Sequence, residues 1–520
     1  MARQNNDSLA VPQGRRKAVP TEPTRERGGK WTADDERVYQ LNLFGRTAAS
    51  DAHASTKSGG RSKRKVQTLP EGRKLTNKRG KVTLATMEEI VERLDQAQRN
   101  VDANHGSPGP DRQTVEMVRE HWNDVKPKLV RALLDGSYRP GDIRRVWIPK
   151  PGGGERGLGI PDVIDRIVQE ATRMSLEPQY EPFFHQNSHG FRPRRSCHTA
   201  IKQARAYLAQ GYGIVVDFDL KDFFNRVNHQ RLLAKLAQRV SDKRVLILIG
   251  RMLKAKVVMP TGVVIDTEQG VPQGGPLSPL LSNIYLDELD RELERRGHRF
   301  VRYADDCNIY VRSERAGHRV MESVSRFLKG RMRLEVNEQK SAVARPEERH
   351  FVGFRLRFDS RTNEVEVTLS QRSLRRLRDR IVELTPRGFG NTIEKCIKGI
   401  NAYFQGWIGF FGICTGDVEQ TLRATDSHVR RRLRAIQLKQ WKRKRTIVRN
   451  LVARGRNRRK VTNVVYGRKN RIWALSHVSV VDSALNNNYW LQRGYITLHS
   501  MWTKLKQTEV APIQMELELE

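Results

Sequence analysis

His298-Arg-Phe-Val-Arg-Tyr-Ala-Asp-Asp-Cys-Asn-Ile-Tyr-Val-Arg312 consists of two short runs rich in β-branched and aromatic residues, with Ala304, Asp305 and Asp306 between them. The pattern predicts a β-hairpin carrying two adjacent carboxylates at its tip. Asp is also a common turn residue, because it tolerates unusual φ and bonds its own backbone, so the hairpin alone does not specify chemistry. A second acidic strand end changes the reading. In Gly213-Ile-Val-Val-Asp-Phe-Asp-Leu-Lys-Asp-Phe-Phe224 an apolar run stops at Asp217, Asp219 and Asp222. Carboxylates brought close raise one another's pKa unless a cation sits among them. Hard oxygen ligands suit Mg²⁺, and two such ions ~3.5–4 Å apart can stabilise both the attacking and the leaving oxygen of a phosphoryl displacement. The two stretches together point to nucleotidyl transfer.

Composition favours the same class. The chain has 520 residues, more than one hydrophobic core usually organises, which predicts two or three folded units. It carries 96 Lys+Arg against 58 Asp+Glu, a formal charge of +38 that attracts polyanions, nucleic acid before a membrane surface. No apolar run approaches the ~18–20 residues of a spanning helix, and the N-terminus lacks the apolar core of a secretory signal. A soluble intracellular protein is expected. Cys197, Cys307, Cys396 and Cys414 are far apart and form no Cys-x-x-Cys pair, so they read as buried thiols in a reducing compartment rather than zinc ligands or disulfides.

Along the chain, residues 1–81 are basic and poor in large apolar residues, apart from Trp31 and Val38–Phe44, and read as a largely disordered extension. Thr86-Met-Glu-Glu89 has capping-box spacing ahead of Ile90, Val91 and Leu94, which starts a folded region. A helix to about Leu134 is expected to break near Pro127. Arg144–Pro161 is a glycine-rich, hairpin-like segment whose turn is flanked by Lys150 and Arg156, and lacks the Gly-Lys-Ser/Thr of a Walker A loop. Ser188–Arg195, with Arg192 and Arg194 beside Phe191, suits backbone and stacking contacts with single-stranded or A-form nucleic acid, or an ordinary surface loop. In Gln269–Asn283 a Gly/Pro turn leads into a helix whose Ser278-Pro279 start reads as N-cap and N1. Leu334–Lys340 is strand-like. Between Asp426 and Asp482 there is no acidic residue, while Arg430, Arg431, Arg432, Arg434, Lys442 and Arg443 crowd what reads as one helix. A solvated face would alternate signs, so this run predicts an RNA-binding surface.

Tyr303-Ala-Asp-Asp306, Asp219-Leu-Lys-Asp-Phe-Phe224, Gln269–Asn283 and the blocks around them resemble bacterial group II intron-encoded reverse transcriptase/maturases, over roughly residues 82–505. The resemblance implies an α+β right-hand polymerase with fingers, an antiparallel-sheet palm and a helical thumb, followed by a basic C-terminal region. It implies fingers and palm over 82–368, thumb or maturase region over 369–445, and a basic RNA/DNA-binding region and tail over 446–520. Asp219, Asp305 and Asp306 would be catalytic and hold two Mg²⁺, with Mn²⁺ a possible substitute. Lys150 and Arg156 would grip the incoming triphosphate, Lys340 would lie near it, Phe224 would exclude a 2′-hydroxyl, and Gln273 would pack on the nascent pair. Phe351 and Gly353 would hold the primer end. Family members often have Pro at the position of Gly157 and Asp at the position of Asn225.

The implied partners are an RNA template, structured intron RNA, a DNA primer or target and dNTPs, with no membrane and no indication of oligomeric state. A bacterial cytoplasmic, nucleoid-associated protein of a lineage without the appended endonuclease is expected. The implied activity is RNA-directed DNA polymerisation, with assistance to intron splicing and copying of the intron during retrohoming. A splicing or chaperone protein without polymerase use, and a reverse transcriptase recruited to repair or defence, are the alternatives.

Overall fold

The strand pattern of the central region is apolar at successive positions, not alternating, so its sheet must be covered on both sides. The computed structural model describes residues 85–149, 154–386, 392–416, 418–467 and 471–517, with side chains to residue 508. The N-terminal extension and Lys150 lie outside the described residues. Ten short strands are described, here called β1 (Ile143–Pro149), β2 (Glu155–Ile160), β3 (Ile214–Phe218), β4 (Val257–Val258), β5 (Val264–Ile265), β6 (Arg299–Tyr303), β7 (Asp306–Val311), β8 (Ala342–Ala344), β9 (Phe354–Asp359) and β10 (Glu364–Leu369).

The central sheet runs β6-β7-β3-β8 with every pairing antiparallel, and its register sets Tyr303 opposite Asp306 and Phe218 opposite Cys307. Side chains alternate across a strand. Val216, Phe218, Phe300, Cys307 and Ile309 enter one core, with the helices Val163–Tyr180, Ser278–Arg295 and Glu314–Phe327. Val215, Val301, Tyr303 and Tyr310 enter a second core, shared with the helix Cys197–Ala209 and with Phe354, Phe404, Trp407 and Leu433 of the C-terminal part. A second sheet, β2-β1-β4-β5, contains the glycine-rich hairpin β1–β2, and β9–β10 is a separate hairpin. The helices Gln371–Leu384, Ile393–Phe411 and Val418–Gln440 follow. This is the expected α+β right-hand architecture.

Several local expectations are corrected. The helix before Leu134 breaks at His121, and Pro127 lies inside Trp122–Leu134, near enough to its start to remove a single ladder hydrogen bond. Leu277 occupies the N-cap position of Ser278–Arg295, because the Ser278 hydroxyl donates instead to the Pro272 carbonyl at 2.6 Å. Leu334–Lys340 forms no named strand; only Val336 bridges Leu220, and the strand that pairs with β3 is β8. The basic run is not one helix: Val418–Gln440 ends before Lys442, which is left-handed at φ 55°, and Lys444–Val452 begins after it. No helix among the described residues is long and apolar enough to cross a membrane. All four cysteines are free and buried.

Candidate active site

Ala304 and Asp305 make the turn between β6 and β7, and Ala304 adopts φ 57°, a left-handed conformation that is uncommon for a residue with a side chain. Such a conformation persists where surrounding contacts over-determine it. Gly190 lies against this turn, where a Cβ would overlap the Ala304 amide nitrogen. Its neighbour His189 donates its backbone N–H to the Arg302 carbonyl at 2.8 Å, and the Arg302 N–H reaches the Asn187 carbonyl at 2.9 Å. The Arg302 side chain is fully buried. Its guanidinium donates to Asp290 at 2.7 and 2.5 Å, to Asn283 Oδ1 at 3.1 Å, to Ser188 Oγ at 2.8 Å, and to the Ala304 carbonyl at 2.8 Å. The residue immediately before Asp305 is therefore held from beneath by a buried ion pair. Sequence reading missed Arg302 and Asp290. Strand alternation was the available signal, since Arg302 shares a face with buried Phe300.

Asp219 leaves the sheet at the end of β3, beside Asp306, because Phe218 pairs with Cys307. Its backbone is fixed on both sides, with its N–H donating to Ser341 Oγ at 2.9 Å and its carbonyl accepting from the Asn337 N–H at 2.8 Å. This turn carries Lys340, whose Nζ is 3.6 Å from Asp219 Oδ2. Arg349, also missed by sequence reading, pairs with Asp217 Oδ2 at 2.7 Å and donates to the Lys340 carbonyl. It ties the palm strand to the lysine turn.

The carboxylates feel one another. Asp306 keeps solvent-accessible surface, yet burial within the surrounding protein pushes its carboxyl up to about 8, aided by the charges of Asp305, Asp217 and Asp219 and opposed by Arg372. Burial also raises the Asp305 carboxyl, with Asp219 adding to the rise and the positive charges of Arg156 and Arg302 opposing it. Burial raises Asp217, against the hydrogen bond and charge of Arg349. An all-oxygen donor set that resists its own ionisation fits a hard divalent cation. Among the described residues no three His, Cys, Asp or Glu side chains are already drawn into a metal cage. Mg²⁺ needs no such cage, since it keeps several waters and takes one or two carboxylates plus substrate phosphates.

Around this acidic end the structure gathers the other candidates. Arg156, opposite Ile148 in the β1–β2 hairpin, is exposed and within electrostatic range of Asp305. Phe224 is half-buried, with its ring 5.2 Å from that of Phe223. Its carbonyl accepts from the Val271 N–H at 2.6 Å, and the Gln273 carbonyl accepts from the Gly159 N–H at 2.6 Å. One loop thus spans the palm turn and the fingers hairpin. Gly274 makes this possible: at φ 133° a Cβ there would overlap the Gly159 carbonyl oxygen, so only glycine fits. Phe351 is buried and bridges Phe354 across a tight turn in which Val352 and Gly353 have φ 42° and 101°. Ser373 donates to the Gly353 carbonyl at 2.8 Å, so this turn is fastened to the first helix of the C-terminal part.

The basic candidates divide. Arg194 is exposed at φ 59°, but Arg192 is buried, and its five donors are consumed by Glu181 and the carbonyls of Glu181, His185 and Ser188. Arg432 is buried against the Thr385 hydroxyl and the carbonyls of Val382 and Thr385, where it caps the end of Gln371–Leu384. Arg434 is buried against Asp482 and the Ser476 carbonyl. The expectation that Arg192, Arg432 and Arg434 face nucleic acid is therefore corrected: local charge does not reveal a partner that folds back from afar. Arg430 is half-buried and bonds Ser427 at 3.0 Å, Arg431 lies over Trp473 at 4.2 Å, and Lys442 and Arg443 are exposed at the helix break. Neutralising Lys442 and Arg443 together is expected to flatten the log–log salt dependence of RNA binding by roughly 1.4–1.8, at ~0.7–0.9 per phosphate contact. Arg432→Gln should instead lower the unfolding midpoint and leave that slope alone. Salt-titrated binding and denaturant melts on both variants measure the difference.

Comparison with known proteins follows this division of the chain. The family described as "Reverse transcriptase (RNA-dependent DNA polymerase)" matches residues 148–356, and "Group II intron, maturase-specific domain" matches residues 374–455. Protein YkfC of Escherichia coli (strain K12) is 33% identical over 301 residues, which cover 50% of this chain and 79% of YkfC. Group II intron-encoded protein LtrA of Lactococcus lactis subsp. cremoris is 30% identical over 296 residues, covering 44% of this chain but only 49% of LtrA. A putative COX1/OXI3 intron 2 protein of Saccharomyces cerevisiae is 38% identical over 169 residues, 32% of this chain and 20% of that protein. With most of YkfC matched, and with a polymerase and a maturase segment in the order in which palm and helical region follow one another, the chain belongs to the group II intron-encoded reverse transcriptase/maturase family.

Proposed function

We propose that the chain copies RNA into DNA from a DNA primer, and that it also binds a group II intron RNA, assists its splicing and copies it during retrohoming. The observation that carries the reading is the meeting of Asp219 with the Asp305–Asp306 turn at one sheet end, beside Lys340 and Arg156. Asp219, Asp305 and Asp306 would hold two Mg²⁺, or Mn²⁺ in their place. When bound, these ions would supply the charge that activates the primer hydroxyl and offsets the leaving pyrophosphate. The residues of the chain do the rest. Arg156 and Lys340 bind the triphosphate of a dNTP, a guanidinium gripping two oxygens and an ammonium acting as a point charge. Lys150, in the same hairpin by sequence, belongs to this set. Gln273 and Phe224 shape the nucleotide pocket, and the Phe351–Gly353 turn orients the primer end. Primer extension on an RNA template with dNTPs and Mg²⁺ tests the reading; no extension with freshly folded protein would refute it.

Phe224 is assigned to discrimination against ribonucleotides by bulk alone. Phe224→Ala is expected to raise ribonucleotide incorporation relative to dNTP by about 10–100-fold, the range open to a steric contact of this size. Single-nucleotide incorporation kinetics measure the ratio. An unchanged ratio removes Phe224 from this role.

A further inference from the structure

The β6–β7 strands have a second end. At one end Tyr303 faces Asp306, the acidic site; at the other Arg299 faces Tyr310, about 13 Å away for four residues at ~3.3 Å per residue. Here a groove of about 530 Å³ opens between the end of the strands and the helix Glu314–Phe327. Arg299, Arg312 and Arg319 line it with Tyr212 and Ser323, and its lining contains no acidic side chain. All three arginines are exposed, and among the described residues none has an ion-pair partner. Nearby arginines outside the groove differ: Arg295 and Arg296 both pair with Glu292 at 2.7 Å, and Arg326 pairs with Glu322 at 2.7 Å. The Arg312 guanidinium lies 5.1 Å above the Tyr212 ring, which holds that long side chain over the groove without neutralising it.

We infer that this groove is a second RNA-docking surface, at the end of the palm sheet away from the aspartates and separate from the basic helices near Lys442. Three uncompensated guanidinium forks are suited to phosphodiester oxygens, which they can grip two at a time. Tyr212 and the apolar floor offer a surface on which a sugar or an unpaired base can rest. The occupant is taken to be RNA because the chain belongs to a family with an intron maturase domain, and the inference rests on the proposed binding of structured RNA. Each phosphate contact contributes ~0.7–0.9 to the salt slope, so three contacts contribute about 2–2.7.

The test uses the full chain with all three arginines changed to Gln (Arg299→Gln, Arg312→Gln, Arg319→Gln), the same three changed to Lys, and Lys442→Gln/Arg443→Gln as reference. The probes are a structured intron RNA, a DNA duplex of equal length, and a short preformed primer–template. The Gln variant is expected to bind the intron RNA with a salt slope lower by about 2–2.7, and the Lys variant to keep most of the slope. Both should extend the short primer–template at the parental kcat, because the groove is remote from Asp219, Asp305 and Asp306. A Gln variant with parental slope and affinity overturns the surface; if the Lys442/Arg443 reference is then weakened, RNA docking itself survives, and if it too is unchanged, the docking reading falls as well. Equal loss for the DNA duplex overturns the assignment to RNA. Loss of primer extension in parallel with binding overturns the separation of the groove from the catalytic end.

Discussion

Replacing Asp305 and Asp306 together with Asn is expected to lower primer extension by on the order of 10³-fold or more, since loss of a single preorganised electrostatic group already costs about 10²–10³. Asn keeps the shape of the turn and removes the charge. The replacement also removes the cost of burying the Asp306 charge, which with the neighbouring carboxylates holds that carboxyl up near 8, so the variant should fold at least as well as the parent in the absence of divalent metal. Mg²⁺ should therefore raise the melting temperature of the parent and not of the variant, because a ligand stabilises only a state that binds it. Melting curves with and without Mg²⁺ report on the carboxylates independently of turnover. Binding of structured RNA should be unaffected, as the basic residues lie elsewhere. A double variant that polymerises at the parental rate would remove these aspartates from the chemistry, and one that still gains stability from Mg²⁺ would place the ion at other residues.

Arg302→Met is expected to destabilise the chain by about 3–5 kcal/mol, the effect of leaving a buried carboxylate without its partner. The carboxylate is Asp290, which is as deeply buried as Arg302 itself, with side-chain exposures of 0% and 1%. Changing both residues to Met should restore much of the stability, since an apolar pair of similar volume can replace a buried ion pair. Primer extension should not recover with it. The Ala304 carbonyl, Asn283 and Ser188 lose their common donor in either variant, so the strained turn is free to relax and carry Asp305 and Asp306 out of place. A displacement of ~1 Å at reacting groups can lower the rate by about 10²-fold. Denaturant midpoints and kcat measured on the single and double variants separate the two effects. Recovery of kcat together with stability would make Arg302 a packing residue and nothing more.

The sheet end with its aspartates was legible because each carboxylate follows an apolar run, and a strand that stops at an acid announces both its end and its exposure. The loop at Gln273–Gly274 was legible as a Gly/Pro turn, though its span from Phe224 to Gly159 was not, because backbone-to-backbone contacts leave no residue-type signal. Arginines were the weakest reading. Arg432 and Arg434 sit in a run without acids, which suggested solvent and RNA, yet Thr385 lies 47 residues before Arg432 and Asp482 lies 48 residues after Arg434. Arg302 shows the same limit from the other side: its partner Asp290 is on the preceding helix, and a strand arginine reads as outward until Phe300 fixes which face is buried. The strand expected at Leu334–Lys340 failed because Asn337 and Ser341 turn back to hold Asp219, so local hydrogen bonding to the site prevails over β-propensity.

The palm sheet, with Val216 and Phe300 on one face and Val215, Val301 and Tyr310 on the other, bears on how such a chain can be cut and recombined. Two cores share one sheet, so the segment boundary between residues 356 and 374 is not a boundary of independent folding. A fragment ending near residue 369 would keep the helix Cys197–Ala209 over that face, with Tyr207 on Tyr310, but would strip Phe354 of the Phe410 and Phe411 rings and leave Phe351 and Phe354 without the rest of their cluster. Exposed apolar surface of that kind leads to aggregation. Exchange of maturase segments between relatives should therefore succeed only where the donor also supplies matching rings for Phe354 and a partner for the Gly353 carbonyl: recombination in this family is constrained by the one turn that both segments hold.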